Sequence, residues 1–242
     1  MKKLNLQLFA KQDIETPIIE TRLEVKNEEN STVAKLYLSG TIRKSYPWEE
    51  EGTCISANAV KKVLDNLGDK DIEVYLNSGG GDVFESIEIC NMLLEYKGDV
   101  KIKITGRAGS GASVIATASK VSMYRNTLQM VHKASTIVSG NADDLRKVAT
   151  DLDKIDKAVK ASYMNKFVGT EEELVKLIAE ATWLTADECL AFGLCDEIIE
   201  AKKEEEPTNE ISIKVSLFEK YKVEAEEPKK SLLNKFKSGG IE

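Results

Sequence analysis

Histidine is the scarcest reactive residue in this sequence, whose 242 residues contain one, His132. A metal site built from several histidines is therefore excluded, and any mechanism that needs an imidazole depends on this side chain. Cysteine is also sparse, because the four cysteines lie far apart and form no C-x-x-C pair. We therefore predict buried thiols, and neither a zinc site nor a disulfide framework.

Long apolar runs and an excess of positive charge are absent as well. No run approaches the roughly 20 apolar residues that a membrane-spanning helix needs, and the basic start of the chain is not followed by the apolar core of a secretion signal. The net charge is -7, with basic residues scattered among acidic ones. We expect a soluble cytoplasmic protein with neither nucleic acid nor membrane as a partner.

The composition divides the chain into three parts. Residues 1–17 are polar with alternating leucines, which predicts an N-terminal arm. Residues 18–200 carry strand-like and helix-like patterns and are predicted to form the folded domain. From residue 201 to residue 242, clusters of lysine and glutamate with two prolines predict a charged linker and C-terminal tail. Within that tail, residues 211–217 alternate as a strand would.

A strand, a glycine-rich turn and a helix follow one another twice in the centre of the domain. Apolar strand residues at 72–76 lead into the turn at 77–82 and a helical pattern after it, and the order repeats over residues 100–118. Tandem units of this kind predict parallel strands with helical crossovers, and hence an α/β fold. A long amphipathic helix is predicted from about Asn141.

Ser110 lies in the second glycine-rich turn, where a strand is predicted to lead into a helix. A serine hydroxyl becomes a good nucleophile when a base takes its proton, and backbone N–H groups at such a turn stabilise an oxyanion. His132, at the end of a later predicted strand, is the candidate base. The glycines at 79–81 could direct a backbone N–H into the same crevice. The alternatives are structural: a tightly packed turn, a non-catalytic histidine and a glycine turn that needs positive φ.

The glycines do not match nucleotide-binding motifs. The spacing of Gly106, Gly109 and Gly111 departs from G-x-G-x-x-G, and the run at 79–81 lacks the Gly-Lys-Ser/Thr of an ATPase phosphate loop. We therefore expect neither an organic cofactor nor a metal.

Together these segments resemble the proteolytic subunit of Clp protease, most closely its tailed-phage relatives, the Clp-type head maturation (prohead) proteases. Order and spacing agree over roughly residues 33–200, and residues 139–145 look like the start of the long helix of the phage branch. Four stretches carry the resemblance: YLNSGGGDV at 75–83, GRAGSGAS at 106–113, MVHK at 130–133 and the segment from WLTADE to GL at 183–194.

The resemblance implies the ClpP/crotonase-like fold, with repeated β-β-α units, a long handle helix and assembly into heptameric rings or double rings. It also implies a serine endopeptidase in which Ser110 matches the nucleophile, His132 the general base, and the N–H groups of Gly81 and Gly111 the oxyanion hole. The implied partners are polypeptide substrates, which in the phage branch are capsid or scaffold proteins, and an unfoldase.

One catalytic position departs from the family pattern. The third catalytic residue of the family is an acid, and its place here is taken by Ala181. The neighbouring Glu180 is the best candidate for the missing acid; another acid or a water molecule is the alternative. Two other functions stay open: a crotonase-like enzyme acting on coenzyme A thioesters, and a catalytically weakened ring scaffold.

Overall fold

The computed structural model describes residues 19–27, 31–50 and 52–200, which lie within one unit, Met1–Glu200. The predicted N-terminal arm at 1–17, the linker and tail at 201–242, and the strand predicted at 211–217 lie outside the described residues. Within the described part of the chain, no helix is both long enough and apolar enough to cross a bilayer.

The described residues contain eight strands and six helices, which confirms the predicted α/β class. A short 3₁₀ turn, Ala116–Ala118, follows the third helix. In chain order the elements are β1 (Arg22–Lys26), β2 (Val33–Ile42), α1 (Ala57–Leu67), β3 (Asp71–Gly81), α2 (Val83–Glu95), β4 (Val100–Gly109), α3 (Gly111–Ile115), β5 (Lys120–Tyr124), β6 (Leu128–Val131), α4 (Ala142–Met164), α5 (Glu171–Ala179), β7 (Thr182–Thr185), α6 (Ala186–Ala191) and β8 (Glu197–Ile199).

The strands form one sheet whose centre is parallel, as the tandem strand–turn–helix units predict. The order is β1-β2-β3-β4-β5-β8, with β1 antiparallel to β2 and parallel pairing from β2 through to β8. Alternate residues of β2, β3 and β4 are buried, because helices α1, α2 and α3 cover that face of the sheet. This core contains, among others, Leu36, Leu38, Ile72, Leu76, Ile89, Ile102, Ile104 and Ile115.

Strand β4 divides its pairing between two neighbours, and this division positions the candidate site. Its first half, residues 101–104, pairs with β5, whereas residues 107–109 pair with β6. Strand β6 in turn pairs antiparallel with β7. The carboxyl end of β4 therefore lies beside β6 and beside the residues that follow β6.

The helices begin at polar caps that the sequence supplies. The Ser56 side chain accepts from the Ala59 N–H at the start of α1, and Asn141 forms a reciprocal capping box with Asp144 at the start of α4. The predicted start of the long helix near Asn141 is thus confirmed.

All four cysteines are buried and unpaired, as predicted. Burial raises the pKa of each thiol, that of Cys189 to about 12. The thiols therefore stay protonated and belong to the core.

Candidate active site

Ser110 occupies a strained backbone position between β4 and α3. Its φ is 54° and its ψ is −124°, and residues other than glycine rarely adopt a positive φ. Its N–H donates to the carbonyl of Met130 at 2.8 Å, and its carbonyl accepts from the N–H of Ser113 at 2.9 Å. The surrounding fold, and not the preference of serine, therefore sets the direction of this side chain.

His132 directly follows β6, and the register between β4 and β6 brings it to Ser110. Gly109 is paired with Met130, so the residues just beyond both strands lie close together. The imidazole Nε2 is 2.7 Å from Ser110 Oγ, which is hydrogen-bond distance. When Nε2 accepts the hydrogen bond from the serine hydroxyl, the proton of the neutral ring is on Nδ1.

The surroundings of His132 favour the neutral imidazole. Burial lowers the pKa of His132 below its usual value of 6.5, because a half-buried imidazolium loses hydration. The negative charge of Asp156 acts in the opposite direction and offsets part of this effect. Near pH 7 the ring is therefore neutral, which is the state that a general base requires.

A hydrogen-bonded cluster behind the turn connects Ser110 to helix α4. The Ser113 hydroxyl oxygen lies 2.6 Å from the Ser110 carbonyl, 2.9 Å from the Met130 carbonyl and 2.7 Å from the Tyr163 hydroxyl. Because the two carbonyls can only accept, the single hydroxyl hydrogen of Ser113 is shared between them, and Tyr163 donates to Ser113. Tyr163 is 1% exposed, so this contact fixes the turn against α4.

The predicted oxyanion-hole residues, Gly81 and Gly111, are positions where only glycine fits. A Cβ on Gly81 would lie 1.9 Å from a carbonyl oxygen of β2, and a Cβ on Gly111 would lie 2.1 Å from a serine hydroxyl of α2. A Cβ on Gly80, which precedes Gly81, would lie 2.8 Å from Ser110 Cβ, so the end of β3 lies against the Ser110 turn. Gly111 is the first residue of α3, where backbone N–H groups have no partner within the helix.

Glu180 and Ala181 connect α5 to β7, close to His132 in the sheet. The register pairs Val131 with Thr182, so Ala181 stands one residue beyond this pair, as His132 does on β6. Ala181 has φ 52° and brings a methyl group to this position. Glu180 ends α5 and is exposed, and the charge that acts on His132 belongs to a different residue. A catalytic role for Glu180 stays a prediction.

Asp156, which sequence reasoning missed, is the acid whose charge reaches His132. It lies on α4, and its Oδ1 accepts the N–H of Ala134 at 2.8 Å. Helix α4 carries several acids, so residue type alone does not distinguish this one. The usable signal is spacing: Asp156 precedes Val159 and Tyr163, both buried, by one and two helical turns and therefore shares their face.

Acidic, histidine and cysteine side chains are not clustered for metal binding in the described segments: no three of them could hold one ion. The reactive groups that the fold brings together are the hydroxyl of Ser110 and the imidazole of His132.

A serine hydroxyl bonded to a neutral imidazole, at a strained turn between a parallel strand and a helix, is typical of serine hydrolases. Comparison with known families narrows the class, because the family model for Clp protease matches residues 49–202, more than half of the chain. The chain belongs to the Clp protease family, and this membership implies a serine peptidase. The mixed α/β fold, with a central sheet and six helices in its described part, fits a ClpP-like fold. Members of this family typically act on polypeptides and form oligomeric rings.

Proposed function

We propose that this protein is a serine endopeptidase that cleaves polypeptides through an acyl-enzyme, with Ser110 as nucleophile and His132 as general base. The observation that carries the proposal is the 2.7 Å separation between His132 Nε2 and Ser110 Oγ. A serine hydroxyl is a weak nucleophile until an adjacent base accepts its proton. Membership of the Clp protease family supports a peptide bond as the bond that is hydrolysed.

The reaction begins when Ser110 Oγ attacks the scissile carbonyl and its proton passes to His132 Nε2. The N–H groups of Gly81 and Gly111 stabilise the negative oxygen of the tetrahedral intermediate. His132 then donates the proton to the leaving amine, and the acyl group stays on Ser110. Water attacks this ester with His132 again as base, which releases the second product and restores the serine.

The proposed substrates are capsid or scaffold polypeptides of a tailed phage, processed in the bacterial cytoplasm during head maturation. The support is the resemblance of residues 139–145 to the start of the long helix of the phage branch. Scaffold segments can be cleaved while they are flexible, so a partner unfoldase is needed for folded substrates only.

Assembly into a heptameric ring or double ring belongs to the same proposal. Helix α4 exposes Leu145 and leaves Val148 and Leu152 partly accessible along one stripe. These three residues are the proposed surface through which two rings stack.

The residues found at the site bear differently on the two alternative functions. A crotonase-like thioester enzyme would use carboxylates in the crevice, whereas the groups found at the turn are a hydroxyl and an imidazole. A ring scaffold with little catalysis is favoured by one observation, the alanine at position 181, which is the acid position of the family.

Hydrolysis of an unfolded protein by the assembled wild type tests the proposal. We expect Ser110→Ala and His132→Ala each to lower kcat by about 10³-fold or more, while Ser139→Ala, an exposed serine of the loop before α4, keeps wild-type activity. Hydrolysis that survives in Ser110→Ala would contradict the proposal. A folded wild-type oligomer without turnover would favour the scaffold.

A further inference from the structure

A peptidase with this reactive pair needs a group that holds the imidazole, and the loop before β7 does not supply a carboxylate at the level of His132. Ala181 stands there, and Glu180 is exposed at the end of α5. This inference rests on the proposed function and concerns which residue completes its site.

The opposite side of His132 is bounded by the loop that leads to α4. Ala134, two residues after His132, donates its N–H to Oδ1 of Asp156 at 2.8 Å. Asp156 is itself half-buried, so this hydrogen bond is partly shielded from water and fixes the start of the loop to the helix.

We propose that Asp156 is the positioning acid of this site: it holds the loop that follows His132 and stabilises the imidazolium that forms when Ser110 gives up its proton. The acid is supplied by a long helix rather than by the segment next to β7. No direct bond to the imidazole is required, because the carboxylate orients the ring through the backbone and acts on it by its charge.

Helix α4 is suited to this task because it contacts the segments that follow both members of the reactive pair, through Ser113 and Ala134. It runs over Ala142–Met164 and is fixed at its first turn by a capping box. Two turns after Asp156, the buried hydroxyl of Tyr163 bonds Ser113, which holds the turn of Ser110. One rigid element thus sets the serine turn and the histidine loop relative to each other.

The electrostatics around the ring agree with this assignment. Two groups act on His132: the Ser110 hydroxyl, from the turn after β4, by its hydrogen bond, and the Asp156 carboxylate, from α4, by its charge. Lys133, the next residue along the chain, is exposed. Among the described residues Asp156 is the charged group whose field acts on the ring, and it raises the pKa of His132 against the larger effect of burial.

Substitution by asparagine separates the charge from the hydrogen bond. Asp156→Asn keeps an oxygen that accepts from Ala134 but removes the negative charge. Asp153→Asn makes the same chemical change at an exposed position of the same helix and is the control. Glu180→Gln removes the charge of the alternative acid and tests that alternative. Asp156→Glu keeps the charge and tests rescue.

Two readouts follow the imidazole. The first is the pH profile of kcat and kcat/KM on a peptide substrate. The second is the pH dependence of the rate of modification by diethyl pyrocarbonate, which attacks neutral imidazole. Because the chain holds one histidine, the ultraviolet absorbance of the modified imidazole reports on His132 alone, and it does not depend on peptidase activity.

We expect Asp156→Asn to lower kcat between about 10-fold and 10⁴-fold, the upper bound being the loss when a directly bonded triad aspartate is replaced. KM stays near the wild-type value, and the midpoints of both profiles move to lower pH, because the charge that favours imidazolium is gone. Asp156→Glu keeps a midpoint near wild type, and Asp153→Asn matches wild type throughout. Glu180→Gln does not reproduce the losses of Asp156→Asn.

The proposal is overturned if Asp156→Asn leaves kcat and both midpoints unchanged, or if Glu180→Gln produces these losses instead. It is equally overturned if Asp156→Glu shifts the midpoint as far as Asp156→Asn. A wild type that shows no hydrolysis would reject the proposed function, and the modification midpoint would then decide the role of Asp156 by itself.

Discussion

Ser110 and His132 are both held in states that their own preferences disfavour. A sparsely populated backbone conformation with positive φ costs about 1–3 kcal/mol, and Ser110 is kept there by the bonds of its N–H and carbonyl to Met130 and Ser113. His132 is kept in a half-buried place where imidazolium is poorly hydrated. Both departures favour the reaction, since the first sets the direction of the hydroxyl and the second keeps its base neutral.

The pH dependence of peptide hydrolysis follows from the state of His132. A protonated imidazole cannot accept the serine proton, so activity rises with pH as the neutral form increases. Burial lowers the pKa of His132 below 6.5, so we predict that the acidic limb of kcat/KM has its midpoint below pH 6.5. Rates measured between about pH 4 and pH 9 on a peptide without ionisable side chains check this. A midpoint above 6.5 would contradict the burial described for the ring.

Sequence reasoning singled out Ser110 and His132 as candidates because each lies at a recognisable point, a glycine-rich turn and the end of a strand. The family resemblance then supplied their roles. Asp156 could not be found in the same way. Its contact with Ala134 depends on how α4 docks against the loop after β6, and this packing leaves no local pattern in a helix that carries several acids.

Helix α4 and the divided strand β4 together build the site at the level of elements. Strand β4 pairs with β6 only over its last residues, which places His132 beside Ser110. Helix α4 then packs behind both, with Tyr163 against the serine turn and Asp156 against the histidine loop. The contact through Tyr163 should therefore affect both stability and activity.

We predict that Tyr163→Phe lowers the free energy of unfolding by about 1 kcal/mol, since the Tyr163 hydroxyl is buried and its bond to Ser113 is lost. It should also lower kcat, because the Ser110 turn becomes less fixed. Urea unfolding and peptide hydrolysis measure the two effects. Tyr124→Phe, at a position that is 37% exposed, is the control and should change stability by less than about 0.5 kcal/mol. Equal effects of the two variants would show that the bond between Tyr163 and Ser113 does not stabilise the Ser110 turn.

Periodicity predicted most of these elements, because the apolar residues of β3, β4 and α4 recur at strand or helix spacing. It did not predict that β4 pairs with two different strands, β5 and β6. The extent of each pairing is set by tertiary contacts, and the glycines at 106, 109 and 111 contribute no side chain from which a register could be inferred.

At the scale of the whole molecule, the account concerns the assembly of the chain into rings. Family members form rings, and the exposed apolar stripe of α4 is the part of this chain proposed to join two rings. Leu145 is 44% exposed, so a large apolar side chain of α4 meets solvent in the single chain.

We predict that Leu145→Glu separates stacked rings into single rings, because a charge would have to be buried at the contact. Native mass spectrometry, which counts copies of the 26.8 kDa chain, measures this directly. Thr150→Glu adds the same charge to an exposed position on another face of α4 and should leave the assembly unchanged. The prediction fails if Leu145→Glu has the wild-type mass, or if Thr150→Glu dissociates equally.

The most direct test of the central claim, that Ser110 is a nucleophile activated by His132, is covalent labelling with a fluorophosphonate followed by peptide mapping. The account predicts one adduct on the assembled wild type, located on the peptide that contains Ser110, absent from Ser110→Ala and formed far more slowly in His132→Ala. A well-folded wild-type oligomer that stays unlabelled, or an adduct that persists in Ser110→Ala, would contradict it.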